Sequence, residues 1–174
     1  PLVAVGAVHH ELISRGLRMR TSLVVESGQV WPTHHLAVLV GYGASAVHPY
    51  LAFETVRQWA TSTKTAKAMQ QGRLPPGLTE DLALNNFRQG LEKGLLKILS
   101  KMGISRLSSY HGAQIFEALG VGGDLLDISF KGTPSRIGGL DMADMEKELV
   151  TMHARAFAKT EKALALPDEG HIKP

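Results

Sequence analysis

The sequence predicts an α/β fold in which parallel strands alternate with helical crossovers. Two features of the 174 residues indicate this: short apolar runs of strand length, and a segment with helical spacing after each run. Parallel neighbours require such a connection of about a dozen residues. Four units of this kind correspond to half of an eight-unit barrel or to part of an open sheet, so we expect an incomplete domain fragment.

The first half of the chain contains three runs with strand character: Leu2–Val8, Ser22–Val25 and Ala44–His48. We expect these strands to be mutually parallel. Apolar spacing and breaker residues predict helices between and after them. The predicted helices are Glu11–Arg15, a segment capped by Thr33 that runs to Val40, Tyr50–Trp59, and Lys64–Gln71.

The longest predicted helix begins after a Thr79 cap and runs to Met102, with acidic residues in its first turn. Its apolar residues recur at steps of three and four, which defines one face. That face consists of Leu84, Phe87, Leu91, Leu95, Ile98 and Met102. We expect it to cover the three strands. Gly90 and Gly94, one turn apart, would allow another backbone to approach closely.

The pattern is weaker after Met102. We predict a fourth strand at Ile104–Tyr110 and a loop at Gly132–Gly139. Three further helices are predicted: Ala113–Leu119, Asp124–Phe130, and a last amphipathic helix that Asp141 caps and that reaches Ala156. Residues 1–157 therefore form part of one domain in this interpretation, and residues 158–174 form a linker or tail.

Composition excludes several classes of function. The net charge of +3, without a clustered basic patch, gives no reason to expect a nucleic-acid partner. No apolar run approaches the roughly 20 residues of a membrane span, so no membrane partner is expected. The chain has no cysteine, which removes disulfides, thiolate metal sites and a cysteine nucleophile. Because the first residues look like a buried strand without a leader peptide, we expect a segment cut from a longer chain.

The carboxyl ends of the predicted strands carry the first candidate site. They hold His9-His10, Glu26, His48 and Tyr110-His111. In parallel α/β folds such residues meet at one edge, where imidazoles and a carboxylate could bind zinc. The alternative is that these histidines cap helices, bond backbone carbonyls or face solvent. No H-E-x-x-H spacing is present to decide between them.

Several other groups of residues are candidates for binding an anion. Ser109–Gly112 lies between a predicted strand and a predicted helix, where it could hold the phosphate of a flavin or another ligand. The glycine clusters Gly41–Gly43 and Gly120–Gly123 follow predicted helices and are better interpreted as turns and C-terminal caps. Arg136 could clamp an anion, or pair with an acid. The basic stretch Arg15–Arg20 is expected to face solvent.

Several strings resemble one family. Ala4–His10 followed by Ser22–Glu26, and GYGASAVHPYLAFE at Gly41–Glu54, are similar to the later half of the central domain of glutamate synthase large chains. So are LLKILSKMGIS at Leu95–Ser105 and SSYHGAQIFEALG at Ser108–Gly120. The stretch at Gly122–Leu140 resembles the ferredoxin-dependent branch.

This resemblance implies a structural segment of an oxidoreductase that makes two glutamates from glutamine, 2-oxoglutarate and reductant. The segment would link the glutaminase and flavin-binding domains of the same polypeptide, with residues 158–174 leading toward the flavin domain. It implies FMN, an iron–sulfur cluster, and ferredoxin or a pyridine-nucleotide-linked subunit for the full enzyme, in the cytoplasm or a plastid stroma. No catalytic, cofactor-binding or metal-binding residue is carried over to this segment. The alternative is an independent metal-dependent enzyme that uses the His/Glu edge.

A last expectation concerns self-association. The apolar run at Leu2 would leave an uncovered strand edge, and the Met142–Met152 stripe resembles an adaptable contact surface. We therefore expect the isolated chain to dimerise or aggregate through apolar contacts.

Overall fold

The computed structural model describes residues 1–157. Helices dominate this part of the chain, and four short strands lie among them. In chain order the elements are α1 (Leu2–Ser14), a 3₁₀ turn (Arg18–Arg20), β1 (Val24–Glu26), α2 (Thr33–Gly41), β2 (Ala46–His48), α3 (Tyr50–Ala60), α4 (Thr63–Gln70), α5 (Glu80–Lys101), α6 (Leu107–Tyr110), β3 (Ala118–Val121), α7 (Gly123–Ser129), β4 (Ser135–Leu140) and α8 (Met142–Ala156).

The strands form two separate parallel pairs within the described residues, β1 with β2 and β3 with β4. Helix α2 makes the crossover in the first pair and α7 in the second, as the α/β prediction requires. In the first pair Val25 lies opposite Val47 and points to the core, whereas the flanking positions are exposed. The predicted fold class is confirmed: α/β, helix-rich, with open parallel pairs.

The predicted first strand at Leu2–Val8 is wrong. These residues begin α1, which continues without a break through the segment predicted as a separate short helix. A short apolar run fits a buried helix as well as a buried strand, and only its length separates the two. Val5 packs into a core cluster with Val25, Val30 and Leu39. The same helix crosses α7 so closely that Gly6 lies against the backbone of Ser129.

Helix α5 begins as predicted, because the Thr79 hydroxyl accepts a hydrogen bond from the Leu82 N–H at 3.2 Å. It packs against α2 and α3 rather than over the strands, so the predicted cover of a three-stranded sheet is wrong. Leu91 is buried, and Leu95 supports a second core cluster that includes Leu99 and Tyr110.

The two glycines of α5 differ. A Cβ on Gly94 would lie 2.5 Å from the Thr33 hydroxyl of α2, whereas the space beside Gly90 is open. The predicted close approach therefore occurs at Gly94 only, and the neighbour there is a side chain rather than a backbone. Thr33 is the first residue of α2 and not its cap; Pro32 occupies the cap position.

Three predictions in the second half are wrong. Ile104–Tyr110 is an irregular segment followed by the short helix α6. Ala113–Leu119 leads into strand β3 instead of forming a helix, and Gly132–Gly139 contains most of β4. Glycines explain the β3–β4 pair, because a Cβ on Gly139 would lie 2.5 Å from the Gly120 carbonyl oxygen. The missing side chains let the two backbones approach, so glycine-rich sequence here forms strand rather than loop.

The last helix is confirmed. Asp141 caps α8 by accepting a hydrogen bond from the Asp144 N–H at 2.8 Å. The Asp144 carboxylate accepts one in turn from the Asp141 N–H, which makes a capping box. Helix α8 buries none of its residues against the described chain. The predicted linker at residues 158–174 lies outside the described residues. None of the described helices combines the length and the apolar character that crossing a membrane would take.

Candidate functional site

The carboxyl ends of β1 and β2 bring two of the predicted edge residues together. Glu26 lies opposite His48 in the parallel register, and the Ser27 N–H donates to the His48 carbonyl at 3.1 Å. Both side chains are exposed. The His48 ring lies 5.8 Å from the Phe53 ring on α3, between ring centroids. This part of the predicted edge is therefore real, but it holds one carboxylate and one imidazole.

A cleft of about 770 Å³ opens beside His48, between α3 and α5. Its charged lining is balanced, with two carboxylates, Glu54 and Asp81, and two guanidinium groups, Arg57 and Arg88. Arg57 binds Glu54 at 2.6 Å and also the Glu80 carboxylate of α5. The hydrogen bond from Arg57 lowers the pKa of the Glu54 carboxyl. These ion pairs join two helices and leave little net charge for a ligand.

Two of the remaining predicted histidines, His9 and His10, meet at a different place, a smaller cavity of about 170 Å³ between α1, the end of α2 and two loops. His9 and His10 reach it from α1, not from the end of a strand, and their rings pack edge to face at 5.3 Å. His111 follows α6, and its Nε2 is buried without a hydrogen-bond partner within the described residues. We call this space the histidine cavity. Its other polar lining residues are Gln114, Lys131 and Thr133.

Arg18 fixes the inner wall of the histidine cavity. Its Nε donates to His9 Nδ1 at 2.9 Å, and its two terminal nitrogens donate to the carbonyls of Thr21 and Gly43 at 2.7 and 2.8 Å. Because Nδ1 accepts, the ring proton of neutral His9 lies on Nε2. Burial, and then the Arg18 guanidinium, lower the pKa of His9. The prediction that the Arg15–Arg20 stretch merely faces solvent is wrong for Arg18.

Tyr42 forms the floor of the histidine cavity and connects its walls. Its ring stacks on Phe116 at 5.4 Å and meets Phe130 edge to face at 5.1 Å. Its hydroxyl forms a 2.7 Å hydrogen bond with the Thr133 hydroxyl. The loop after α7 is thereby attached to the end of α2, which places Lys131 and Thr133 opposite the histidines of α1.

Sequence reasoning missed Gln114, Lys131 and Thr133. Gln114 adopts a left-handed backbone with φ of 53°, which is uncommon for a residue other than glycine. Its side-chain nitrogen packs against Gly132, where a Cβ would clash with it. Nothing in the local sequence indicates this contact, because it joins two loops 18 positions apart whose strands were not predicted.

The predicted zinc site required the histidines and Glu26 to meet at one edge of a sheet, and the structure separates them. Glu26 and His48 share one strand edge, whereas His9 and His10 line the histidine cavity and His111 precedes its lining residue Gly112. Among residues 1–157, no three His, Asp or Glu side chains are grouped so that they could hold a metal ion.

The predicted anion-binding segments have different outcomes in the structure. Ser109–Gly112 does not lie between a strand and a helix but at the end of α6, so the predicted phosphate loop is wrong, although Gly112 lines the histidine cavity. Gly41–Gly43 ends α2 as predicted, with Tyr42 at the cap and Gly43 at a φ of 109°. Gly120–Gly123 belongs to β3 and the start of α7 instead. Arg136 pairs with the Glu117 carboxylate at 3.3 Å, which corresponds to the second of its two alternatives, an acid partner.

Comparison with known proteins identifies the family of this helix-rich α/β segment. The family described as "Glutamate synthase central domain" matches residues 1–122. The chain belongs to the glutamate synthase central domain family.

Relatives extend this similarity over the whole chain. The chain is 57% identical over 173 residues, 99% of its length, to "Ferredoxin-dependent glutamate synthase" of Pyropia yezoensis, of which it covers 11%. It is 57% identical over 94% of its length to "Ferredoxin-dependent glutamate synthase 2" of a Synechocystis strain, covering 10% of that protein. It is 51% identical over 99% of its length to the spinach (Spinacia oleracea) protein named "Ferredoxin-dependent glutamate synthase, chloroplastic", again covering 10%. The chain thus spans about a tenth of the length of these relatives.

Proposed function

We propose that this chain is a non-catalytic part of a ferredoxin-dependent glutamate synthase and links its glutaminase and flavin-binding domains. The observation that carries the proposal is the family match over residues 1–122, extended by relatives of that name over nearly the whole chain. In this proposal residues 1–157 belong to the central domain, and residues 158–174 lead toward the flavin-binding domain.

The whole enzyme would convert glutamine and 2-oxoglutarate into two glutamates with electrons from ferredoxin. FMN and an iron–sulfur cluster would lie in another domain. A chain without cysteine offers no thiolate, so its residues do not fit the cluster, and a cysteine nucleophile for the glutaminase reaction must also lie elsewhere. The names of plant relatives include "chloroplastic", so we propose the plastid stroma if the source is a photosynthetic eukaryote, and the cytoplasm otherwise.

The contacts of two arginine side chains support a structural role. Arg18 donates hydrogen bonds to His9 and to two backbone carbonyls. Arg57 binds the carboxylates of Glu54 and Glu80, and the second of these joins α3 to α5. A guanidinium group whose donors are already bound to several partners holds the backbone in place. It is not available to bind and release a substrate. The contacts of Arg18 connect α1 to the end of α2, and those of Arg57 connect α3 to α5. A domain that links two others requires fixed packing of this kind between its helices.

The surface of β4 and α8 supports a contact with the rest of the polypeptide. Ile137, Leu149 and Val150 are 60%, 54% and 61% exposed, although each is a large apolar residue. Elements β4 and α8 contact each other, and exposed apolar residues concentrated on neighbouring elements often mark an interaction surface. We call these three residues the docking patch. The strand edge at Leu2 no longer contributes to the expected self-association, because α1 is a helix. We propose that this patch docks on neighbouring domains and, in the isolated chain, on a second copy.

Transplantation of the segment tests the linking role. The matching tenth of the Pyropia yezoensis relative is replaced by this chain, and glutamate formation is compared with ferredoxin oxidation and glutamine hydrolysis. We expect the chimera to keep two glutamates per glutamine, and the isolated chain to form none. A Leu149→Glu chimera should uncouple glutamine hydrolysis from glutamate formation, whereas Lys147→Glu, on the same helix, should not. Glutamate formation by the isolated chain would contradict the proposal.

Sedimentation of the isolated chain tests the docking patch. We expect association at micromolar concentration that persists in high salt, since apolar contacts are not screened. The double variant Leu149→Glu and Val150→Glu should be monomeric under the same conditions. An unmodified chain that stays monomeric over the whole concentration range would exclude self-association through this patch.

A further inference from the structure

We propose that the histidine cavity binds the oxyanion group, carboxylate or phosphate, of a small metabolite, with Lys131 as its charged anchor. This inference is independent of the proposed linking role, because a segment that performs no chemistry can still bind a ligand. It rests on the lining of the cavity, on the polar groups that converge there, and on the contacts that hold them.

The lining is basic and contains no carboxylate. Lys131 supplies a full positive charge and has no salt-bridge partner within residues 1–157. The Arg18 guanidinium lies directly behind His9 and adds to the positive potential. The Glu11 carboxylate interacts electrostatically with Lys131, but it faces solvent and is bound to Arg15 at 2.6 Å. The cleft beside His48 has matched acids and bases, so the histidine cavity is the better place for an anion.

The groups around the cavity are the donors that an oxyanion requires. Lys131 offers an ammonium group, Gln114 an amide, Thr133 a hydroxyl and His10 an imidazole. Hydrogen bonds from an ammonium group to a carboxylate or phosphate are among the strongest in proteins. The volume of about 170 Å³ is below that of a pocket for a drug-sized molecule, so it suits a small group.

The contacts that shape the cavity are costly, and this supports a role in binding. Gln114 holds a left-handed backbone, which is strained for a residue other than glycine. Beside the cavity, His111 precedes the lining residue Gly112 and buries an imidazole nitrogen without a partner among the described residues. Such features persist where the surrounding structure holds them, and they concentrate at ligand sites.

Titration of the complete 174-residue chain tests the site. Inorganic phosphate and malonate are used in separate calorimetric titrations at constant ionic strength, so that screening does not change during the experiment. Saturable one-site binding of either probe supports the proposal, and the preferred probe identifies the source of the oxyanion. Absence of saturable binding of both probes up to roughly 10 mM, the range of a very weak site, overturns it.

Three substitutions distinguish the site from general attraction. Lys131→Gln should weaken binding at least about tenfold, because it removes a hydrogen bond between charged groups, which is among the strongest in proteins. Lys131→Arg keeps the charge, so its affinity should remain within about threefold of the unmodified chain. Lys101→Gln removes the same charge from the end of α5, away from the cavity, and should change binding less than twofold. Lys131 is exposed, so far-UV circular dichroism should show all variants folded. Equal effects of Lys131→Gln and Lys101→Gln would overturn the proposal.

Discussion

The crossing of α1 and α7 makes a sharp prediction about Gly6. Ala at this position would place a Cβ 2.8 Å from the Ser129 carbonyl carbon and still closer to the carbonyl oxygen. Both neighbours are backbone atoms, so no side chain can rotate away, and one helix must move. Overpacking of this kind costs about 1–3 kcal/mol, and we expect the upper end. Ala gains about 1 kcal/mol over Gly in a helix, which leaves a net loss of roughly 2 kcal/mol.

Two other helical glycines provide matched controls. Gly90→Ala makes the same chemical change at a position with open space, so it should stabilise the chain by about 0.5–1 kcal/mol. Gly94→Ala meets the Thr33 side chain, which can shift in part, so its effect should lie between the other two. Urea unfolding followed by the fluorescence of Trp31 and Trp59 gives the free energy of unfolding for each variant.

The order of the three variants is the critical result. If Gly6→Ala unfolds at the same urea concentration as the unmodified chain, α1 and α7 do not cross at Ser129. In that case α1 does not present His9 and His10 to the histidine cavity as described, and the oxyanion site loses its wall. If Gly90→Ala destabilises the chain by more than 1 kcal/mol, the open face of α5 is in fact covered.

Three further measurements probe the core, the last helix and the histidines. Leu99→Ala should cost about 2–4 kcal/mol in urea unfolding because the side chain is 6% exposed, and a loss below 1 kcal/mol would place it outside the core. Asp141→Ala removes the capping box of α8 and should speed amide exchange in its first turn by the equivalent of about 1 kcal/mol. Burial lowers the pKa of His9, His10 and His111 below the ordinary 6.5, so the unfolded chain binds more protons. The free energy of unfolding should therefore fall as pH drops from about 7 through 6.5 and below, and the triple substitution to Gln should flatten that dependence.

Local signals in the sequence predicted the elements whose ends are chemically marked. Thr79 and Asp141 each precede an acidic first turn and a helical apolar spacing, and both caps are present. The Ala46–His48 strand and the α3 helix lie between clear breaker residues, and they too are close to their predicted positions. In these cases the deciding interactions lie within a few residues of each other, so the sequence contains them.

The errors arose where distant residues decide the structure. The apolar run after Pro1 could be a strand or a helix, and its contact with Ser129 is over a hundred positions away. Gly120 and Gly139 look like turn formers when each is considered alone. Their strand character becomes evident only when the two backbones are placed side by side. Gln114 is similar, because its left-handed backbone fits a loop that depends on Gly132.

The change of one element from strand to helix also changes the functional interpretation. With Leu2–Val8 as a strand, His9 and His10 would share an edge with Glu26, and a metal site would be a reasonable hypothesis. On α1, a helix that crosses α7, the same histidines face Lys131 instead, and Arg18 occupies the Nδ1 of His9. Imidazoles beside a carboxylate favour a cation, whereas imidazoles beside an ammonium and a guanidinium favour an anion. The chemistry of the site therefore follows from the helix crossing that Gly6 permits. The stability of Gly6→Ala tests that crossing, and the anion titrations test the chemistry.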